Sequence, residues 1–202
     1  MLYLQVILNP AEMKEAEHDN QVFDGIDYSR QTIGGEEYYD CTFRNCNLSE
    51  ANLSNSDFND CIFENCNLGL VKLTNTGLKN VSFKNCKLIG IDFNTCNPFL
   101  LYVKFLKCRL DYAGLYHMKL KETTFEECSL VEANFSESDL TNASFRECNL
   151  TNAIFDFTDL THADFRNAHH YTIDPERNKM KQAKFSHSGL AGLLGKYNLR
   201  IE

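Results

Sequence analysis

The chain has 202 residues, a formal net charge of −8, 43% hydrophobic and 24% charged residues, which is the balance of one globular domain and excludes a disordered chain. The acidic balance excludes an overall basic footprint for nucleic acid, and no apolar run reaches the ~18 residues of a membrane helix. Nine cysteines are an odd number for a secreted disulfide framework, and the N-terminus lacks the basic lead-in and cleavage site of a signal peptide, so a cytoplasmic location is expected.

Residues 1–20 read as an N-terminal extension. Leu2, Leu4, Val6 and Leu8 alternate as in a short strand. Asn9-Pro10 predicts a short helix through about Glu17, with Asn9 as its cap and Pro10 in its first turn.

A repeat fills residues 21–168. Every fifth residue from Phe23 to Phe93 is Phe, Leu, Ile or Tyr, and the rule resumes without a miss from Phe105 to Phe165, 28 positions in all. A period of five fits neither a helix nor a flat strand, so the chain must turn a corner once per repeat. Phe23, Phe43, Phe63 and Phe83 are twenty apart, as are Phe105, Phe125, Phe145 and Phe165. Four sides per coil stack each set in one column, which predicts an all-β, square parallel β-helix of about seven coils.

The residue two before each centre is mostly small (Cys41, Ala51, Ser56, Ala113, Ala133) and shares the inward face with the centre. All nine cysteines take this slot, and Cys46, Cys66, Cys86, Cys108, Cys128 and Cys148 form one column. They read as buried, reduced space-fillers, with no metal or cofactor expected. The phase slips by two residues near 94–104, at Asn94-Thr95-Cys96-Asn97-Pro98-Phe99, where proline lacks the amide a stacked strand needs. A bulge or small outward loop is expected there, with the phenylalanine column continuing from Phe83 to Phe105.

Residues 169–202 read as a C-terminal segment. Leu190, Leu193, Leu194 and Tyr197 have helical spacing, with Ser186 or Ser188 as cap, and Leu199 and Ile201 alternate as in a short strand. Gly189 and Gly192 weaken that helix and admit the close approach of another backbone. Two readings stand: a lid over the end of the solenoid, or a dimer interface made by Leu190, Leu193, Leu194, Tyr197, Leu199 and Ile201.

The motifs Ala51-Asn52-Leu53-Ser54-Asn55, Cys66-Asn67-Leu68, Ala133-Asn134-Phe135-Ser136-Glu137, Cys148-Asn149-Leu150 and Ala163-Asp164-Phe165 resemble the pentapeptide repeat family over about residues 21–168. The resemblance implies a right-handed quadrilateral β-helix and, by itself, no function. The C-terminal helix and strand resemble the ends of Qnr-type and MfpA-type members, which implies a homodimer. Long loops of the Qnr type have no room here outside the slip, so the loop-free MfpA pattern is the nearer analogue.

Charge alternates along the chain: net −10 over residues 1–68, +7 over 69–121, −9 over 122–164 and +4 over 165–202. The second acidic band holds Glu122, Glu126, Glu127, Glu132, Glu137, Asp139, Glu147, Asp156, Asp159 and Asp164. In stacked coils like charges recur at roughly 4.8 Å. Two such bands flanking a dimer centre would imitate the shape and charge of duplex DNA and attract a basic saddle.

A non-catalytic protein-binding rod is expected, with a DNA mimic that engages bacterial DNA gyrase or topoisomerase IV in place of DNA as the first reading. The resemblance to Qnr-, MfpA- and McbG-type members implies protection from fluoroquinolones or peptide toxins, the latter as an immunity protein. The alternative is a generic interaction scaffold with another protein partner, in which the acidic residues keep the rod soluble. The basic band (Lys72, Lys79, Lys84, Lys87, Lys104, Lys107, Arg109, Lys119, Lys121) would then be either a site for an acidic protein or phosphate-rich ligand or the complementary charge of a solvated face. No direct nucleic-acid or membrane contact is expected. No phosphate loop, metal-spaced Cys/His set or nucleophile constellation appears, so no catalysis is expected.

Overall fold

The computed structural model describes residues 17–200, so the strand expected at Leu2–Leu8 and the start of the helix expected at Asn9-Pro10 lie outside the described residues. Glu17, expected to end that helix, instead opens a strand. The strands are β1 (Glu17–Asp19), β2 (Val22–Asp24), β3 (Glu37–Tyr39), β4 (Thr42–Arg44), β5 (Asp57–Asn59) and β6 (Ile62–Glu64). They continue as β7 (Gly77–Lys84), β8 (Leu101–Leu106), β9 (Thr124–Glu126) and β10 (Ser144–Arg146).

All pair in parallel as one coiled ladder. Phe23 lies opposite Phe43, Phe43 opposite Phe63, and Phe63 opposite Phe83. Phe83 then lies opposite Phe105, Phe105 opposite Phe125, and Phe125 opposite Phe145. A second side pairs as strands, with Tyr38 opposite Phe58 and Phe58 opposite Leu78. The other two are joined by single bridges such as Asn47 to Asn67 and Asn52 to Lys72. The chain is the parallel β-solenoid that the period of five predicts.

The pentapeptide closes because nearly every corner among the described residues has a left-handed residue two after the centre. Asn45, Asn55 and Asn65 stand at φ +54°, +63° and +54°. Asparagine tolerates that region better than most side chains. Corner asparagines also bond to the coil before, as from Asn75 Nδ2 to Asn55 Oδ1 at 3.1 Å and Asn85 to Asn65 at 2.7 Å. The Asn or Asp before each centre fastens the next turn: Asn52 Oδ1 accepts from the Ser54 amide at 3.1 Å and its hydroxyl at 2.6 Å.

Inside, the rings of Phe23, Phe43, Phe63, Phe83, Phe105, Phe125, Phe145 and Phe165 stack face to face with centroids 4.6–5.3 Å apart. The small slot beside them is buried throughout the core. All nine thiols are free and buried. Those of Cys66, Cys86 and Cys108 donate to the carbonyls of Phe43, Phe63 and Phe83, each at 3.3 Å. Burial pushes the Cys61 and Cys96 thiols up to about 12, out of the range of reactive thiolates.

The slip is absorbed locally. Lys79 lies opposite Tyr102 and Val81 opposite Val103, so Asn80 has no counterpart, and a tight turn over Pro98–Leu100 juts outward. The ladder runs on beyond residue 168, with bridges from Asp159 to Lys179 and Asp164 to Lys184 and Phe165 stacked on Phe185 at 5.2 Å.

The C-terminal segment differs from expectation. It forms 3-10 turns over His187–Leu193 and Gly195–Tyr197 in place of an α-helix, and the Ser186 side chain makes no capping bond. Two glycines in seven residues explain the irregular winding. Leu199 joins no strand, and Ile201 lies outside the described residues.

Candidate protein-binding surfaces

The acidic band surrounds the rod and does not fill one side. Glu122, Glu127, Glu132, Glu137 and Glu147 occupy left-handed corners at φ +52° to +59°. Asp139 and Asp159 are bridge neighbours on one side, and Glu126 lies on another beside Arg146. Cations from neighbouring coils or the same repeat reach most of these carboxylates. Lys107 pairs with Glu127 at 3.6 Å, Lys121 with Asp139 at 3.2 Å, and Arg146 with Glu126 at 3.5 Å and Glu147 at 3.9 Å. Arg166 pairs with Asp164 at 2.7 Å, Arg177 with Asp156 at 2.6 Å, and Lys179 with Asp159 at 3.4 Å. His117 lies 3.3 Å from Glu137. Glu122 and Glu132 belong to none of these pairs. The pairs are exposed, so each adds little stability.

The Arg166 fork holds the Asp164 carboxyl below its ordinary range. Partial burial of Asp139 opposes its ionisation, but bonds from the Thr141 hydroxyl and amide and from Lys121 outweigh it, leaving that carboxyl lowered as well.

The C-terminal segment lies over the last coil. Lys196 reaches Asp174 at 2.8 Å and Glu176 at 2.6 Å, and the Ile173 amide donates to the Gly192 carbonyl at 2.9 Å. Gly189 and Gly192 pack on Tyr171 so closely that an added Cβ would stand 2.0 Å from its hydroxyl or 2.4 Å from its carbonyl oxygen. The close approach inferred for these glycines is thus made within the chain. Leu193 packs against the core, whereas Leu190, Leu194, Tyr197 and Leu199 are exposed.

In the basic band, Lys107, Arg109 and Lys121 have carboxylate partners; Lys72, Lys79, Lys84, Lys87, Lys104 and Lys119 have no ion-pair partner among the described residues. The proline in the slip signals a break, but it does not signal the apolar groove that opens beside it. Among the described residues no group of three His, Cys, Asp or Glu could hold a metal ion, and no helix is long and apolar enough to cross a membrane.

The family model for the pentapeptide repeat region matches residues 37–113 and 99–173. Among solved structures, HetL is a pentapeptide repeat protein involved in heterocyst differentiation regulation from the cyanobacterium Nostoc sp. strain PCC 7120. It matches at TM-score 0.59 and 13% identity over 84% of each chain. Trypsin-treated QnrB1, described as a plasmid-mediated fluoroquinolone resistance protein, matches at TM-score 0.44 and 20% identity over 93% of this chain and 100% of its own. These likenesses are of fold. No curated protein matches the chain.

Proposed function

The chain belongs to the pentapeptide repeat family, and from that premise we propose a non-catalytic protein-binding rod that docks through residues 122–164 into a basic groove built for duplex DNA. The partner in this reading is bacterial DNA gyrase or topoisomerase IV, which sets the work of the rod in the cytoplasm. Occupying that groove in place of DNA would shield the enzyme from fluoroquinolones or peptide toxins. The exposed leucines of the C-terminal segment support a homodimer that doubles the surface.

The charge density of the band carries the proposal. Ten carboxylates and one arginine fall within residues 122–164. That is about two coils, or ~10 Å of axis at the spacing of stacked strands. Subtracting the five lysines and arginines that reach in from outside leaves roughly −4, or one charge per ~2.5 Å, against one per ~1.7 Å for duplex DNA. The wide spread of the carboxylates round the rod favours a second reading, a scaffold for a different partner.

A gyrase supercoiling assay with and without a fluoroquinolone separates the two. The purified protein should inhibit in a salt-sensitive way or relieve the drug. Reversing Glu126, Glu132, Glu137 and Asp139 to lysine should abolish the effect while the circular dichroism stays that of the folded rod. Activity retained after reversal would sink the DNA-like reading, and a pull-down recovering one other stoichiometric protein would establish the scaffold.

A further inference from the structure

We propose that the break in the ladder near residue 100 is a second docking site, which takes an extended acidic segment of a partner protein carrying one large apolar side chain. On this side of the rod Leu78 lies opposite Leu101, and pairing resumes from Lys119 to Asp139; among the described residues no bridge joins Leu101 to Lys119. The wall opens there into a groove of about 470 Å³, lined by Asn94, Cys96, Pro98, Leu101, Met118 and Lys119 among others. That is the size of a pocket for a large side chain or small ligand.

Elsewhere in this column the slot holds Thr76, Ser138 and Thr158, whose hydroxyls donate to carbonyls of the preceding side. Met118 replaces that hydroxyl with a flexible apolar chain, so the groove floor is apolar and adaptable. At its rim the Asn97 side chain accepts from the Phe99 amide at 3.1 Å, and Pro98 fixes the turn. Phe99 is thereby held 92% exposed. A single exposed apolar residue is ordinary, but one pre-positioned beside an apolar groove is a ready anchor.

Charge identifies the occupant. Lys119 lines the groove, Lys79 lies opposite Tyr102, and Lys104 stands 5.3 Å from the centre of the Tyr102 ring. Among the described residues none of these three lysines is in an ion pair, in contrast to the cations that serve the acidic band. The complement is a large apolar side chain with flanking carboxylates. A nucleic acid supplies the charge but not the apolar side chain.

This site is separate in place and opposite in charge from residues 122–164. Its failure and the failure of the gyrase reading are therefore distinguishable. The test is selection of a phage-displayed random peptide library on the purified full chain. The selected peptides should share acidic residues around one large apolar residue. One of them, synthesised with a fluorescent label, should bind at least ~10-fold more weakly to Phe99→Ala and to the triple variant Lys79→Glu, Lys104→Glu, Lys119→Glu, with affinity falling as salt rises. Both variants alter exposed side chains, and their thermal transitions should match the parent. The quadruple lysine variant of the acidic band should bind the peptide as the parent does. Selection with no shared motif or a basic one would overturn the proposal, as would equal binding to the variants. Labelled duplex DNA binding as tightly as the peptide would also overturn it, because a plain polyanion site needs no groove.

Discussion

Phe125→Ala measures whether the aromatic column holds the rod together. Phe125 is fully buried, with its ring stacked between Phe105 at 5.2 Å and Phe145 at 5.1 Å and edge-on to Phe135 at 5.7 Å. Removing a buried ring costs about 3–5 kcal/mol through lost transfer energy and the cavity left behind. Contact on both ring faces places this site near the top of that range, at ~4–5 kcal/mol. Each coil touches only its neighbours, so the defect should also divide the rod into two weakly coupled halves. Urea unfolding should be followed by far-ultraviolet circular dichroism and by tyrosine fluorescence, which no tryptophan obscures. The variant should show an earlier and broader transition. Ile154→Ala, at a position 47% exposed, is the control and should change stability by less than ~0.5 kcal/mol. A loss below ~1 kcal/mol for Phe125→Ala would show that the column does not carry the fold.

Gly192→Ala should lift the C-terminal segment, because the new Cβ would meet the Tyr171 carbonyl oxygen at 2.4 Å and that backbone is held by the last coil. Hydrogen exchange at the Ile173 amide should quicken at least ~10-fold while Phe125 stays protected, and unchanged exchange would refute the close packing. In acid, Asp164, Asp174 and Glu176 have carboxyls lowered by Arg166 and Lys196. A lowered folded-state pKa contributes stability that is present above the unfolded value of about 4 and lost as pH falls through the folded value. Thermal melts should therefore be level above pH ~5 and fall below ~4, with Asp164→Asn reducing the fall; a melting temperature that rises below pH ~4 would contradict the assignment.

The repeat was legible because its rule is local and strict. A large residue every fifth position and a small one two before leave a square coil as the consistent packing, and Phe43 and Cys46 stand where that rule puts them. The far end was less legible. Met180 and Phe185 keep the twenty-residue spacing from Leu160 and Phe165, but Asn178 fills the small slot and His170, twenty after Leu150, is an exposed left-handed residue, which hides the last coil. The terminal turns defeated the helical pattern because leucine spacing reports which residues share a face, not how tightly the backbone winds. The groove by Met118 was hidden for another reason: it arises from the pairing of sides distant in sequence, and only Pro98 marks it.

Backbone conformation offers an argument about the acidic band that charge alone does not. The earlier coils place asparagine at many left-handed corners, as at Asn45, Asn55, Asn65, Asn75 and Asn85, alongside Arg30, Glu50 and Leu70. The band places glutamate there five times, at Glu122, Glu127, Glu132, Glu137 and Glu147, although Asn142 and Asn152 show that asparagine fits the same coils. Glutamate gains nothing from this conformation, which disfavours ordinary L side chains by roughly 1–2 kcal/mol each. Folding by itself would favour asparagine at these corners. Glu122 and Glu132, which belong to no ion pair, give the cleanest test. Their joint replacement by asparagine should raise stability by about 1 kcal/mol, part of the left-handed penalty at each corner, and weaken gyrase inhibition. A less stable double variant would refute the backbone argument. A more stable one that inhibits as before would show these two glutamates idle in docking.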